Sequence, residues 1–233
     1  MAKKAVLFDL DNTLYDYDKP HEKALKEVYK VLKKQIPLAF AKFMKLFNLS
    51  RAEIQKELTG TASAHNRILY FHRLIEKTHK TVEPNIILNL YSVYWNTFLD
   101  SMKIRKNVID AFKKLKKKGI KISIVTDLTT HIQLRKIQKL KIAKYIDILV
   151  TSEEAGSEKP HSIMFLLALN KLNIMPKDAM MVGDNSVTDI EGANAVGMDT
   201  VLLGKGKPSK NKEDYSKPNY VINDISEVLK FVE

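Results

Sequence analysis

Two aspartates, Asp9 and Asp11, follow a short apolar run at residues 5–8. Such a run has the character of a buried strand, so its end would deliver both carboxylates to one edge of a sheet. Packing alone gives no reason to bring two negative charges together, because moving a carboxylate out of water costs free energy unless a partner compensates it. The pair therefore indicates chemistry.

More polar side chains stand where other predicted strands end. Thr126 and Asp127 follow the run at 120–125, and Asp184 follows the run at 179–182. In a parallel sheet every strand points the same way, so residues distant in sequence meet at one edge. Clustered carboxylates raise each other's pKa unless a cation neutralises them, and an all-oxygen set suits Mg²⁺. The sequence therefore predicts a Mg²⁺ site at this edge.

The elements that would hold these side chains alternate between strand and helix from about residue 103 onward. Short β-branched runs separated by helical segments predict a parallel sheet covered on both faces, which is an α/β fold with a Rossmann-like three-layer core. The strand at 5–8 belongs to the same sheet. The predicted helices are 107–118, 130–141, 161–172 and 189–196, and the predicted strands are 120–125, 146–150, 179–182 and 200–203.

The stretch between the first strand and the others has helical spacing throughout and no convincing strand. Ser50 and Glu53 have the spacing of a capping box, and Pro84 suits the first turn of a helix. We predict about four helices here. The predicted domains are an all-helical insertion at 17–101 and a core made of 1–16 and 102–233.

Length and composition bound the class of protein. A chain of 233 residues with 45% hydrophobic residues can build a sizeable core. The absence of cysteine excludes disulfides, thiolate zinc sites and cysteine nucleophiles. No segment approaches the roughly 18 apolar residues of a membrane span, and the N-terminus lacks the pattern of a signal peptide. We expect a cytoplasmic protein that does not act at a membrane.

Lysine dominates the charge of the chain. The 39 Lys and Arg residues outnumber the 27 Asp and Glu residues, which leaves a net charge of +12. Five lysines fall at 113–118 on one predicted helix without interleaved aromatic residues, which is typical of a solvated face, so we disfavour nucleic-acid binding. The positive field would instead draw phosphorylated substrates. A second lysine-rich stretch at 204–218 also contains Ser, Gly and Pro and predicts a surface loop.

Four short motifs occur in order along the chain, and each coincides with the end of a predicted strand or with a following loop. Together they resemble the motifs of the haloacid dehalogenase superfamily of phosphatases and related enzymes, and the resemblance spans essentially the whole core. The motifs are Asp-Leu-Asp-Asn-Thr at 9–13, a strand ending in Thr126, Lys159 before a proline, and Gly-Asp-x-x-x-x-Asp at 183–189.

The resemblance implies a role for each aspartate of the opening pair. Asp9 would be the nucleophile that attacks phosphorus and forms an aspartyl-phosphate, which splits one difficult hydrolysis into two easier steps. Asp11 would give a proton to the leaving oxygen and later take one from the attacking water. Its backbone carbonyl would also contact the metal.

The remaining motif residues would bind the metal and the phosphate by the same resemblance. Asp184 would complete the Mg²⁺ site with Asp9, and Asp189 would brace this site or reach the metal through water. The phosphate-binding positions would be Thr126, Asp127 and Lys159. Relatives often have Asn where this chain has Asp127, and a negative charge beside phosphate is unfavourable, so we expect this side chain to turn away from it.

Asp11 also bears on the choice of reaction within the superfamily. Its dehalogenases have no aspartate two positions after the nucleophile, because a departing halide needs no proton. We therefore predict Mg²⁺-dependent hydrolysis of small phosphate monoesters. A phosphotransferase or phosphomutase is the first alternative, a dehalogenase is the second, and a basic binding protein on the same fold is a third. The sequence leaves open the identity of the ester and whether the protein is a monomer or a homodimer.

The predicted helical insertion occupies the position at which many members of the superfamily carry a cap that closes over the site. We expect Asn66 and Arg67 to face the active site and to read the leaving group of the substrate. His65, His72 and His79 lie seven residues apart and would form one stripe on a continuous helix. Metal-binding histidine pairs on helices sit four apart, so we disfavour a second metal site.

Overall fold

The chain folds into two compact units in the computed structural model, which describes residues 2–79, 81–205 and 215–232. The larger unit joins Met1–Asp16 to Lys103–Glu233, and the smaller unit spans Tyr17–Met102. Among the helices described, none is long and apolar enough to cross a membrane.

Four helices and one short 3₁₀ turn make up the described part of the smaller unit. Helix α2 buries Phe43, Phe47 and Ile54 at helical spacing, and Ser50 lies on the same buried stripe. The predicted capping box at Ser50 is therefore wrong, because this residue lies in the middle of α2 rather than at its start. The helices are α1 (Asp18–Leu32), α2 (Phe40–Glu57), α3 (Arg67–His79) and α4 (Pro84–Ser101), and the turn is Ala62–His65.

The larger unit is built on one sheet, which has six parallel strands within the described residues. The predicted parallel α/β architecture is confirmed. The strands lie in the order β3-β2-β1-β4-β5-β6. They are β1 (Ala5–Phe8), β2 (Lys121–Thr126), β3 (Ile148–Thr151), β4 (Ala179–Gly183), β5 (Asp199–Leu203) and β6 (Tyr220–Ile222).

Strand β1 lies between β2 and β4, with Phe8 level with Ile124 on one side and Val182 on the other. The residues that follow these three strands therefore leave the sheet side by side. The chain builds the sheet in one direction from β1 to β3 and then crosses to the other side of β1 with β4. A switch point of this kind is where open α/β sheets bind ligands, at the carboxyl ends of the strands.

Helices and short turns cover both faces of the sheet. Leu7 points to one face, where Phe165 and Ala193 belong to the same apolar cluster. Phe8 points to the opposite face, where its ring centroid lies 5.0 Å from that of Phe112. The helices of this unit are α5 (Val108–Lys117), α6 (Thr130–Leu140), α7 (Ser152–Ala155), α8 (Ser162–Leu172) and α9 (Gly192–Ala195), with 3₁₀ turns at Ala143–Tyr145, Pro176–Asp178 and Ile225–Lys230.

Several predicted elements of the larger unit need correction. The helix predicted at 189–196 is a π-helical turn at Ser186–Glu191 followed by α9, because the chain must bring Asp189 back toward the end of β4. The predictions also missed β6 and α7, which are too short to show a periodic pattern. The surface loop predicted at 204–218 includes residues 206–214, which lie outside the described residues.

His21 of α1 lies in an aromatic and basic environment within the smaller unit. Its Nδ1 is 2.6 Å from the Tyr94 hydroxyl oxygen, and its ring stacks on Tyr17 at a centroid distance of 5.3 Å. Burial, and then the positive charges of Arg67 and Arg51, lower the pKa of His21 from 6.5 to about 3. The imidazole is therefore neutral in the folded protein at all but strongly acidic pH.

The smaller unit should lose stability in mild acid because of His21. Below pH 6.5 the unfolded chain binds a proton at this residue, whereas the folded chain does not until about pH 3, so acid favours unfolding across that window. The free energy of unfolding should fall by at most about 1.4 kcal/mol per pH unit from this residue. Urea unfolding of the wild type and of His21→Gln across this window should give a shallower pH slope for the variant.

The matched control is His131→Gln, which changes an exposed histidine of the larger unit. This variant removes a histidine without altering the surroundings of His21, so a change of slope seen only in His21→Gln is assigned to His21. Equal slopes for the wild type and His21→Gln would show that the environment of His21 does not exclude the proton.

Candidate active site

Asp9 lies directly after β1 and is held by three hydrogen bonds. Its backbone N–H donates to the Val182 carbonyl at 2.9 Å, which extends the pairing with β4 by one residue. Its Oδ1 accepts from Lys159 Nζ at 2.6 Å, and its Oδ2 accepts from the Thr13 hydroxyl at 3.0 Å. Asn12 adopts a left-handed conformation, with φ of 63°, in the turn that folds Thr13 back onto Asp9. Asp9 as a whole residue is 6% exposed.

Lys159 is buried and joins two carboxylates. Its Nζ lies 2.6 Å from Asp9 Oδ1 and 2.7 Å from Asp189 Oδ1. Burial alone would lower the pKa of Lys159, but the negative charges of Asp189, Asp9 and Asp127 outweigh it and raise this pKa well above its usual range. The ammonium therefore stays charged and compensates part of the surrounding negative charge.

The turn after β4 supplies Asp184 and Asp189. Asp184 Oδ1 lies 3.3 Å from the Thr13 hydroxyl, and Asp189 Oδ2 accepts from the Asn185 N–H at 3.1 Å. A Cβ added to Gly183 would overlap the carboxyl group of Asp189, with 2.5 Å to its Cβ. Only glycine at the end of β4 leaves room for this carboxylate to fold back.

Three carboxylates converge where β1 and β4 end. Ligand oxygens of Asp9, Asp184 and Asp189 all lie within 4.8 Å of one another. Burial raises the pKa of Asp9 well above its usual value. The positive charge of Lys159 lowers this pKa in part, and the negative charges of Asp189, Asp11 and Asp184 raise it further. Burial and Asp189 raise the pKa of Asp184 to about 6. A hard divalent cation prefers oxygen ligands and is stabilised where negative charge is in excess. The three carboxylates therefore fit such an ion.

Thr126 is the last residue of β2, Asp127 follows it, and both are tied to neighbouring segments. The buried Thr126 hydroxyl oxygen accepts from Gln133 Nε2 at 2.7 Å. Asp127 Oδ1 accepts from the backbone N–H of Lys159 at 3.0 Å, and burial raises the pKa of this carboxyl group. One oxygen of Asp127 is thus used to hold the Lys159 loop.

Asp11 is anchored by two residues that the sequence did not single out. Lys136 Nζ donates to both of its carboxylate oxygens, at 2.7 and 2.6 Å, and the Tyr15 hydroxyl donates to Oδ1 at 2.5 Å. A signal for Lys136 was present, since it and Gln133 lie on the buried face of α6, where apolar residues are expected. Thr13 was part of a recognised motif but had no predicted contact.

The smaller unit contains Asn66 and Arg67 at the start of α3. Asn66 Oδ1 accepts from the Ile68 N–H at 3.1 Å and so caps the helix. Arg67 is 7% exposed, and its guanidinium donates to the Tyr17 and Tyr94 hydroxyls and to the His65 carbonyl. Among the described residues no carboxylate pairs with it.

The three histidines do not form one helical stripe. His65 ends the 3₁₀ turn before α3 and its Nδ1 lies 3.2 Å from Gln55 Nε2, whereas His72 lies within α3 and its Nε2 lies 3.2 Å from Glu76 Oε1. Asn66 is extended between the turn and the helix, which breaks the periodicity. The His79 side chain lies outside the described residues.

The sequence of the chain is similar to those of known hydrolases. A model of the family described as haloacid dehalogenase-like hydrolase matches residues 6–203. The ribulose-1,5-bisphosphate 5-phosphatase of Halopiger xanaduensis is 39% identical over 211 residues, which covers 90% of this chain and 88% of that protein. The glyceraldehyde 3-phosphate phosphatase of Methanocaldococcus jannaschii is 30% identical over 231 residues, with coverage of 99% and 97%.

Solved structures show the same fold at lower identity. A HAD phosphatase from Thermococcus onnurineus superposes with a TM-score of 0.75 at 24% identity and covers 98% of this chain and 97% of its own. A 2-haloacid dehalogenase from Pseudomonas syringae also gives a TM-score of 0.75, at 23% identity, and covers 99% of this chain and 97% of its own. With the family model spanning most of the sequence, the chain belongs to the haloacid dehalogenase-like hydrolase family.

Proposed function

We propose that this protein hydrolyses phosphate monoesters of small sugar-type metabolites in the cytoplasm, through an aspartyl-phosphate on Asp9. The observation that carries the proposal is the buried Asp9 carboxylate, paired with Lys159 and facing Asp184 and Asp189 at the switch point of the sheet. The names of similar proteins, a ribulose bisphosphate phosphatase and glyceraldehyde phosphate phosphatases, support this substrate class.

In the first step an oxygen of Asp9 attacks phosphorus, and the bond from phosphorus to the leaving oxygen breaks as Asp11 transfers its proton to that oxygen. In the second step water attacks the aspartyl-phosphate and gives a proton to Asp11, which frees Asp9 and phosphate. Lys159 and Thr126 bind phosphoryl oxygens, so the charge of Lys159 offsets the negative charge spread over them. Asp127 keeps the Lys159 loop in position through the Lys159 N–H.

We also propose that the residues holding Mg²⁺ are Asp9, Asp184 and the backbone carbonyl of Asp11, with Asp189 bracing them. The fit of an oxygen-only set with excess negative charge supports this ion. When bound, Mg²⁺ would neutralise charge on the phosphoryl group and orient it. The presence of Asp11 favours phosphate esters over haloacids, because only an ester oxygen needs a proton as it leaves.

We propose that Asn66 and Arg67 of the smaller unit contribute to substrate choice. Arg67 keeps a buried positive charge whose described partners are neutral oxygens and aromatic rings, with its guanidinium carbon 5.3 Å from the Tyr70 ring and 5.6 Å from the Trp95 ring. A buried cation without a carboxylate suits a ligand that brings its own negative charge. A second phosphate or a carboxylate on the substrate has this chemistry.

Replacing the nucleophile should abolish turnover. Asp9→Asn keeps the shape of the side chain and the hydrogen bond from Thr13 but removes the nucleophilic charge, so we expect phosphate release with Mg²⁺ to fall at least about a thousandfold. A screen of phosphorylated metabolites provides the measurement. Asp110→Asn in α5, with an exposed side chain, is the matched control and should retain activity. Appreciable Mg²⁺-dependent activity of Asp9→Asn would contradict the mechanism.

Mg²⁺ should stabilise the folded wild type, since a ligand that binds only the folded state raises the melting temperature. Asp184→Asn removes one of three repelling carboxylates. Without metal the variant should therefore melt at or above the temperature of the wild type, and the shift caused by Mg²⁺ should largely disappear. Thermal unfolding with EDTA and with Mg²⁺ tests both effects, with Asp110→Asn again as control. An undiminished Mg²⁺ shift in Asp184→Asn would place the ion elsewhere.

Arg67→Met should change substrate preference. We expect kcat/KM to fall roughly tenfold or more for a sugar bisphosphate and much less for a monophosphate with no second anionic group. Arg73→Met is the matched control on the same helix, because Arg73 is paired with Glu53 and Glu57. Equal losses on both substrates, with an intact melting temperature, would exclude a role of Arg67 in selection.

A further inference from the structure

Helix α6 carries a buried ammonium that lies against the carboxylate of Asp11. Lys136 is fully buried, and its Nζ contacts both Asp11 oxygens, at 2.7 and 2.6 Å, while the exposed fraction of the Asp11 side chain is 31%. A buried ammonium costs several kcal/mol of desolvation unless a well-placed partner compensates it. An apolar residue at this position of α6 would avoid that cost, so packing alone does not explain the lysine.

Tyr15 contacts the same carboxylate. Its hydroxyl donates to Asp11 Oδ1 at 2.5 Å, and its ring lies 5.9 Å from Lys136 Nζ. The backbone of Tyr15 forms bridges with Asp11 and with Ile104, and its side chain is fully buried, so the phenol has a fixed position. Among the described residues, Oδ1 therefore accepts from the Tyr15 hydroxyl and from Lys136, and Oδ2 accepts from Lys136.

The same face of α6 also holds Thr126. Gln133 lies one turn before Lys136 and donates to the Thr126 hydroxyl oxygen at 2.7 Å. One helix thus contacts the side chains of two motif residues from different strand ends, Thr126 as the last residue of β2 and Asp11 after β1. A displacement of α6 would move both.

We propose that Lys136 and Tyr15 are positioning residues that orient Asp11 for proton transfer to the leaving oxygen. This inference rests on the proposed function. Lys136 and Tyr15 keep their own protons throughout. As the bond from phosphorus to the leaving oxygen breaks and the bond from Asp9 to phosphorus forms, the proton passes from Asp11 to the leaving oxygen. The carboxylate that results is then stabilised by Lys136 and by the Tyr15 hydroxyl, and it receives a proton from water in the second step.

The dependence on the leaving group separates this role from a structural one. A p-nitrophenolate leaves without protonation, whereas an alkoxide such as that of glycerol phosphate needs a proton. We expect Lys136→Met to lower kcat/KM for the alkyl ester about 100-fold and for p-nitrophenyl phosphate by no more than about threefold. Lys136→Arg, which keeps the charge, should recover part of the loss, and Tyr15→Phe should show the same selectivity with a smaller loss. Lys139→Met, an exposed lysine on the same helix, is the matched control.

Equal losses on the two esters, or no loss on the alkyl ester, would overturn the proposal. A double-mutant cycle of Lys136→Met and Asp11→Asn in urea unfolding measures the contact without turnover, and additive effects would likewise overturn it. If the metabolite screen finds no ester that the wild type hydrolyses while the cycle shows coupling, the proposed function fails, and the positioning role of Lys136 fails with it although the contact itself is real. Should Lys136→Met not fold, Lys136→Arg and Tyr15→Phe carry the same comparison.

Discussion

The rest of the site depends on the ion pairs that the buried ammonium of Lys159 forms with two aspartates. Its contacts with Asp9 and Asp189, at 2.6 and 2.7 Å, join the end of β1 to the turn after β4. Two buried carboxylates this close would otherwise repel strongly, because a protein interior screens charge poorly. The position of Lys159 is set in turn by Asp127, which accepts a hydrogen bond from its backbone. The ends of three neighbouring strands are thus linked through one residue of a loop.

One ammonium does not neutralise the whole cluster. Burial, and then the neighbouring carboxylates, keep the pKa values of Asp9 and Asp184 raised where β1 and β4 end. Three carboxylates this close together are unfavourable for stability alone, and the cation proposed above would offset their charge. The end of β4 accommodates the third carboxylate, because Gly183 leaves space for Asp189 that any side chain would fill.

Buried cations occur in both units, in contrasting surroundings. Lys159 and Lys136 each contact carboxylates, whereas Arg67 contacts hydroxyls, a carbonyl and aromatic rings. All of these charges cost desolvation free energy, but among the described residues only the two lysines recover it from anionic partners. This difference supports our proposals that Lys136 positions the carboxylate of Asp11 and that Arg67 binds an anionic part of the substrate.

Local pattern in the sequence was enough to locate strands β1 to β5, the parallel sheet and the motif residues at the strand ends. Strand β1 and the position of Asp9 follow from four apolar residues that stop at a carboxylate, and helix α4 begins at Pro84 because proline suits a first turn. A local pattern gave a wrong prediction where a helix start and a helix interior share the same residue spacing. Ser50 and Glu53 have the spacing of a capping box, but the same spacing occurs inside a helix. The apolar stripe of α2 continues on both sides of Ser50, which places this residue in the helix interior.

Only the tertiary structure decided which charges meet. Lys136 lies 125 residues from Asp11, and Lys159 lies 150 residues from Asp9, so neither pairing follows from spacing. The amphipathic pattern of α6 places Lys136 on the buried side but does not say what it contacts there. The sequence by itself therefore determined the strand ends and their acidic residues, because those depend on neighbours along the chain. The partners of the acidic residues were decided by strand order and helix packing, because these bring together residues far apart in sequence.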